Sequence, residues 1–97
     1  MAATVYVVAR FVAKPGKEEE VKGILLSVVA PSRRELGCYQ YDLLRNSADP
    51  RDFCFVERWD GDKALDDHTA SAHLKTARAQ VEALVEGPPD VRRYQIL

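Results

Sequence analysis

One carboxylate in this chain falls where burial disfavours it most. Glu57 lies between Phe55 and Trp59 in the run Phe-Cys-Phe-Val-Glu-Arg-Trp over residues 53–59. Alternate residues of a strand share a face, so this spacing sets one acid among aromatic rings. An acid so placed is either a pocket acid or base with a raised pKa, or a structural carboxylate bonded to Tyr41, an arginine or helix backbone groups. Trp59 is the only tryptophan and can wall a pocket for a planar ligand or simply fill the core. Tyr39 and Tyr41 carry the same two readings, and two hydroxyls beside one acid suggest a polar spot in an apolar cavity. The two histidines, His68 and His73, stand at i, i+5 across a helix break expected at Ala70-Ser71. His68 falls one turn beyond Leu65 and leans inward, where a neutral imidazole makes a general base. His73 occupies the first turn of the next helix, whose dipole keeps an imidazole neutral. Each could instead be a helix-end histidine bonding backbone or water.

The chemistry that is missing narrows the field. The i, i+5 spacing differs from the i, i+4 pair of a helical zinc site, and no Cys or His cluster adds ligands, so no metal site is expected. There is no GxGxxG, GxxxxGK[ST], GxSxG or CxxC, and a separate flavin or nicotinamide domain does not fit in 97 residues. No cofactor is expected, and any reaction must draw on the substrate's own reactivity in a single pocket. A net charge of −1 argues against nucleic acid and against a membrane surface as partners. No apolar run reaches the roughly 18 residues of a span, and Met1-Ala2-Ala3-Thr4 lacks a secretory leader. The chain is therefore expected in the cytoplasm, with Cys38 and Cys54 as free thiols.

The elements that must position these residues read as one domain over 1–97. Thr4 to Val12 is a β-branched strand. Pro15-Gly16 turns the chain into a helix from Lys17, with Glu18, Glu19 and Glu20 in its first turn and Val21, Ile24, Leu25 and Val28 on one face. Pro31 ends or kinks that helix, Ser32 can cap a short extra turn and Gly37 closes it. Cys38 to Arg45 and Phe53 to Trp59 are strands joined by a turn over 46–52. Asp62 offers an N-cap for a helix through Thr69, and Ser71 for a second one burying Leu74, Ala77, Val81, Leu84 and Val85. Gly87-Pro88-Pro89 stops it, and Val91 to Ile96 is the last strand.

The order β-α-β-β-α-β predicts an α+β, ferredoxin-like fold with a four-stranded antiparallel sheet and both helical segments on one side. A symmetric turn makes opposed hairpin residues sum to about 98, pairing Tyr39 with Trp59, Tyr41 with Glu57 and Leu43 with Phe55. Under that register Cys38 and Cys54 lie about 20 Å apart, beyond disulfide reach. The first strand is apolar on both faces, yet the helices cover only one. The excess predicts a homodimer, sheet face against sheet face.

The pieces Pro15-Gly16-Lys17, Arg34-Glu35 with Gly37-Cys38, Tyr41, Glu57-Arg58-Trp59, Ala64-Leu65, and His68 followed by Ser71 and His73 together resemble the antibiotic biosynthesis monooxygenase family along the whole chain. The likeness is nearest to its quinol monooxygenases, which share the glutamate, tryptophan and histidine run. The resemblance implies a dimeric α+β barrel. It also implies oxidation of quinols or polycyclic anthrones by O2 without metal or flavin, the protein giving a dry cavity, orientation and a base. Haem-degrading relatives use an asparagine on the first strand and a histidine on the last long helix. This chain has Ala9 or Arg10 and Arg78 near those places, which points away from haem. Anthrone-oxidising members use an asparagine, a tryptophan, a tyrosine and an arginine, of which Trp59 is matched.

The reading that results is a cofactor-independent monooxygenase for a quinol-like, phenolic or anthrone substrate and O2. His68 and Glu57 are its catalytic candidates, and Trp59, Tyr39, Tyr41, Phe55 and His73 contact the substrate. The alternatives are a dimeric small-molecule-binding module without turnover, and an isomerase or decarboxylase of a small polar substrate.

Overall fold

The computed structural model describes residues 3–97. Met1 and Ala2, the start of the stretch read above for a leader, lie outside the described residues. Strand β1 (Thr4–Val12) leads to helix α1 (Glu18–Ser27) and a short helix α2 (Val29–Arg33). Strands β2 (Cys38–Arg45) and β3 (Asp52–Asp60) form the hairpin. Helices α3 (Gly61–Thr69) and α4 (Ala72–Val81), a 3-10 turn over Glu82–Leu84 and strand β4 (Asp90–Tyr94) complete the chain. The sheet runs β2-β3-β1-β4 with every neighbouring pair antiparallel, which is the ferredoxin-like order expected. Among the described residues no helix is long and apolar enough to cross a membrane.

The helix break precedes Pro31 rather than falling on it. α1 ends at Ser27 and Pro31 sits inside α2, in a first turn where its missing N–H has no intrahelical partner to lose. Ser32 is no cap; it is fully buried against the helices beyond. Asp62 is no cap either, because α3 begins one residue earlier, at Gly61. Leu84 lies in the 3-10 turn and is only half-buried, while Leu74, Ala77, Val81 and Val85 are buried as expected.

Every second residue from Val7 through Phe11 of β1 and on to Ala13 just beyond it is buried, and these pack with Phe53, Phe55 and Trp59 of β3 beneath Val21, Leu25 and Val28. The cysteines are free. The hairpin keeps its expected register from Arg45↔Phe53 through Leu43↔Phe55 to Tyr41↔Glu57 and then shifts between Cys38 and Gln40. A bulge adds one residue and reverses the alternation beyond it. Cys38 therefore faces Trp59, and Tyr39 turns outward, 56% exposed. The expected Tyr39–Trp59 pair does not form.

At the entry to β2 the chain presses against α3. Gly37 has φ +84°, and a Cβ there would lie 2.8 Å from Ala64 Cβ and 3.3 Å from Asp60 Cβ. Its carbonyl accepts from the Asp60 N–H at 2.8 Å. Gly37→Ala should thus lose about 2–4 kcal/mol, from left-handed strain plus overpacking. Gly16→Ala, with φ +81° but open space around it, should lose about 1 kcal/mol. Urea denaturation compares the two, and equal losses would mean that the approach at Gly37 imposes no steric demand.

Candidate functional site

The site is assembled from a strand pair, a turn and a helix break. Glu57, on the central strand β3, is 4% exposed and accepts a 2.8 Å hydrogen bond from the Trp59 indole N–H, two residues along on the same face. Among the described residues no arginine pairs with it, and Tyr41, directly opposite, packs beside it without bonding it. Burial with so few donors pushes its pKa up from 4.5 to about 7, and the negative charge of Glu35 adds to the rise. The Trp59 bond and the charge of Arg78 act the other way. Tyr41 is pushed up by the same burial, with the Glu57 charge next.

His68 stands near the end of α3, 3% exposed. Its ring lies 4.5 Å from the Trp59 ring, centroid to centroid, and 5.2 Å from that of Tyr41. Burial lowers its pKa below 6.5, against the pull of Glu35, so the imidazole is neutral at pH 7. Nδ1 is 2.6 Å from Glu35 Oε2. A carboxylate oxygen accepts, so the ring proton belongs on Nδ1, and Nε2 keeps its lone pair. That nitrogen faces Glu57 Oε1 at 4.0 Å.

Glu35 sits in the turn between α2 and β2, held by its N–H to the Ser32 carbonyl and its carbonyl to the Cys38 N–H. The same Oε2 accepts from His73 Nε2 at 3.2 Å. His73 reaches it because the break at Ala70-Ser71 folds α4 back on α3, fastened by the Ser71 hydroxyl donating to the His68 carbonyl at 2.6 Å. The imidazole of His73 also touches the Ser32 and Ser71 hydroxyls, each at 3.3 Å. The donor atoms of Glu35, His68 and His73 all lie within 4.8 Å of one another. This corrects the expectation from spacing: i, i+5 across a helix break, with a distant glutamate, does gather three potential ligands. A pair of histidines and a carboxylate suits zinc or iron(II), although the 2.6 Å contact is a hydrogen-bond length.

A small chamber of about 40 Å³ opens beside these groups, lined by Tyr41, Phe55, Glu57 and His68 together with β1, α3 and α4 side chains. It has room for one water or diatomic molecule and not for an aromatic ring. Outside it lies a cleft of about 640 Å³ between the α4 end and the chain leading into β4, within the range of ligand pockets. Of the residues singled out from sequence, Glu57, His68, Tyr41 and Phe55 meet at the chamber. Three do not. Trp59, 0% exposed, fills the core behind Glu57 and His68. His73 faces Glu35 instead, since the first turn of α4 projects it toward the α2–β2 turn. Tyr39 is carried outside by the bulge. Cys38 is no nucleophile, since burial, then the charges of Glu35 and Glu57, push its thiol up to about 11.

The parts that Glu35 and Arg78 play in the site emerge only in three dimensions. Glu35 lies 33 residues from His68 in a segment without periodicity, and its nearness depends on the Gly37 contact with α3. Arg78 looks like any exposed helix arginine in the sequence.

A sequence model of the family described as "Antibiotic biosynthesis monooxygenase" matches residues 4–80. "Putative monooxygenase Rv0793" of Mycobacterium tuberculosis is 38% identical over 88 residues, covering 91% of this chain and 86% of that protein. "Putative monooxygenase YcnE" of Bacillus subtilis is 34% identical over 83 residues, covering 86% and 87%. The crystal structure of PA3566 from Pseudomonas aeruginosa superposes with a TM-score of 0.93 at 33% identity, covering 100% of this chain and 97% of that one.

The buried carboxyl makes stability depend on pH with a definite sign. Its folded pKa of about 7 exceeds the ordinary 4.5, so between those values the unfolded chain releases the proton first and stability falls as pH rises. In full the loss is roughly 3 kcal/mol. His68 acts oppositely, losing stability as pH falls below 6.5. Glu57→Gln removes the first effect alone. The variant should gain on the wild type by about 2–3 kcal/mol from pH 4 to pH 8 in urea unfolding; a constant difference would place an ordinary pKa at Glu57.

Proposed function

Because this chain belongs to the antibiotic biosynthesis monooxygenase family, we propose that it oxidises a quinol-like, phenolic or anthrone substrate with O2, without metal or flavin. The observation that carries this reading is the imidazole of His68, anchored through Nδ1 to Glu35 at 2.6 Å, with its free Nε2 at an apolar chamber. His68 Nε2 takes a hydroxyl proton from the substrate, and the anion formed is electron-rich enough to react with O2. Oxygen adds to a ring carbon and the O–O bond breaks. One oxygen stays on the carbon and the other leaves as water, taking its hydrogens from the quinol, so a quinol yields a hydroxyquinone. The substrate supplies all the electrons, which suits a chain with no phosphate-cradling glycine loop.

Glu57, half protonated near pH 7 because of its burial, donates a proton to the departing oxygen. Glu35 orients the base and balances the imidazolium formed in the reaction, which makes it a positioning residue. The small chamber suits O2, and the ring of the substrate occupies the outer cleft.

The same small chamber favours a second reading, a binding module without turnover, since by itself it admits no ring. An isomerase or decarboxylase is less well supported, because the chamber's apolar groups outnumber its polar ones and His73 lies outside it.

Assembly is a separate proposal. On the open sheet face Val8, Leu44 and Tyr94 are 37%, 47% and 49% exposed, and Val8 pairs with Val56 at the centre of that face. Two copies joined through this face would cover them, and the free thiols fit a reducing cytoplasm.

Oxygen uptake by metal-stripped protein on a panel of quinols and anthrones tests the chemistry. His68→Ala should lower kcat/KM by about a hundredfold or more, and Glu35→Gln by about tenfold. The wild-type profile should rise with pH on a limb below 6.5, because burial lowers the pKa of His68. Full turnover by His68→Ala overturns its role, and no uptake across the panel leaves the binding module. For assembly, Val56→Glu should convert a sedimenting dimer to monomer; a monomeric wild type overturns that proposal.

A further inference from the structure

Three side chains, Phe11, Arg78 and Val91, line both the inner chamber and the outer cleft. The two spaces therefore lie side by side, and Arg78 stands between them. The outer walls are apolar apart from Arg78 and Glu82. Arg78 is exposed and makes no ion pair or side-chain hydrogen bond among the described residues. Its fellow arginines, Arg34 excepted, all hold a carboxylate, amide or carbonyl: Arg93 on Asp62 and Asp66, Arg58 on Gln40, Arg51 on Glu86. Glu82, one helical turn along, is not paired with it. An unpartnered guanidinium between an apolar cleft and a chamber holding a base offers two parallel N–H donors to something that enters.

We propose that Arg78 selects substrates in which the aromatic ring carries an anionic group, a carboxylate above all. The ring lies in the outer cleft against Phe11, Val85 and Val91. Its carboxylate takes the Arg78 fork between the two spaces, and the hydroxyl to be deprotonated points inward to His68. This deepens the oxygenase reading by naming the class of its substrate, and only the inward pose of the hydroxyl rests on that reading. A fork-to-fork pair defines a direction as well as a charge, so it would present the same edge of the ring to the chamber in each encounter.

The influence of Arg78 extends to the chamber floor. Its positive charge favours ionised Glu57 and disfavours protonated His68. A carboxylate seated on the guanidinium cancels that influence, so the arriving substrate makes His68 a stronger base and keeps the Glu57 proton in place. Recognition and proton transfer are then coupled through one side chain.

A matched pair of substrates tests the assignment: 2,5-dihydroxybenzoate and its methyl ester, which present an anionic and a neutral carboxyl group at the same ring position. Affinity is read by equilibrium dialysis under nitrogen and kcat/KM by oxygen uptake, in wild type, Arg78→Met and Arg78→Lys. Wild type should favour the acid by tenfold or more in both readouts. The ratio should fall to near one in Arg78→Met and be partly kept in Arg78→Lys, which retains charge without the fork. A stabilising role for Arg78 toward the reacting oxygen alone would lower both substrates equally and leave the ratio intact, which overturns the proposal. A wild-type ratio of one also overturns it. Preferential binding of the acid without uptake upholds the anion site while removing the oxygenase; uptake without preference does the reverse.

Discussion

A carboxyl group cannot lie among aromatic rings as a free anion, and the site is organised around that restriction at Glu57. Among the described residues its one hydrogen-bond donor is the indole of Trp59 at 2.8 Å, available because residues two apart on a strand share a face. Tyr41 from β2 closes the other side without bonding to it. So little compensation leaves the acid about half protonated at pH 7. The same surroundings favour neutral His68, so Glu57 is the group of the pair that changes charge near pH 7 across their 4.0 Å separation. The charges of the site are displaced to its edges, with Glu35 at one and Arg78 at the other.

The helices make this arrangement possible by covering one sheet face and stopping short of sealing it. α3 and α4 are interrupted at Ala70-Ser71, where the His68 carbonyl accepts from both the Ser71 N–H at 3.0 Å and the Ser71 hydroxyl at 2.6 Å. Without that break the helix would carry His73 on past the α2–β2 turn. With it, His73 and His68 converge on a single oxygen of Glu35, with ring centroids 6.2 Å apart. At the opposite edge Arg93 of β4 ties the sheet to α3 through Asp62 and Asp66. Those exposed pairs contribute little energy, but they set the edge strand beside the helix that bears His68.

Stability and chemistry pull against each other here. An amide or leucine at 57 would spare the fold a buried titrating group. The family to which the chain belongs keeps this fold, and what a member does with it depends on the few groups that face the chamber.

Much of the architecture follows from local rules. The β-branched strands, the Pro15-Gly16 turn, the short hairpin connection and the helical stripes each have one good solution, and together they lead to the observed strand order. Glu57, Tyr41 and Phe55 were legible as neighbours because strand alternation and a cross-strand sum place them, and His68 was legible as an inward-facing helix residue one turn beyond Leu65. The bulge at Cys38/Gln40 was not legible, since one extra residue leaves no mark on composition while it reverses the facing of Tyr39. Glu35 was recognisable only by family likeness, and its hold on His68 came from the close approach at Gly37. Periodicity reports which way a side chain faces on its own element. Which residue of a distant turn touches it is decided by how elements pack, and that depends on contacts the local pattern does not encode.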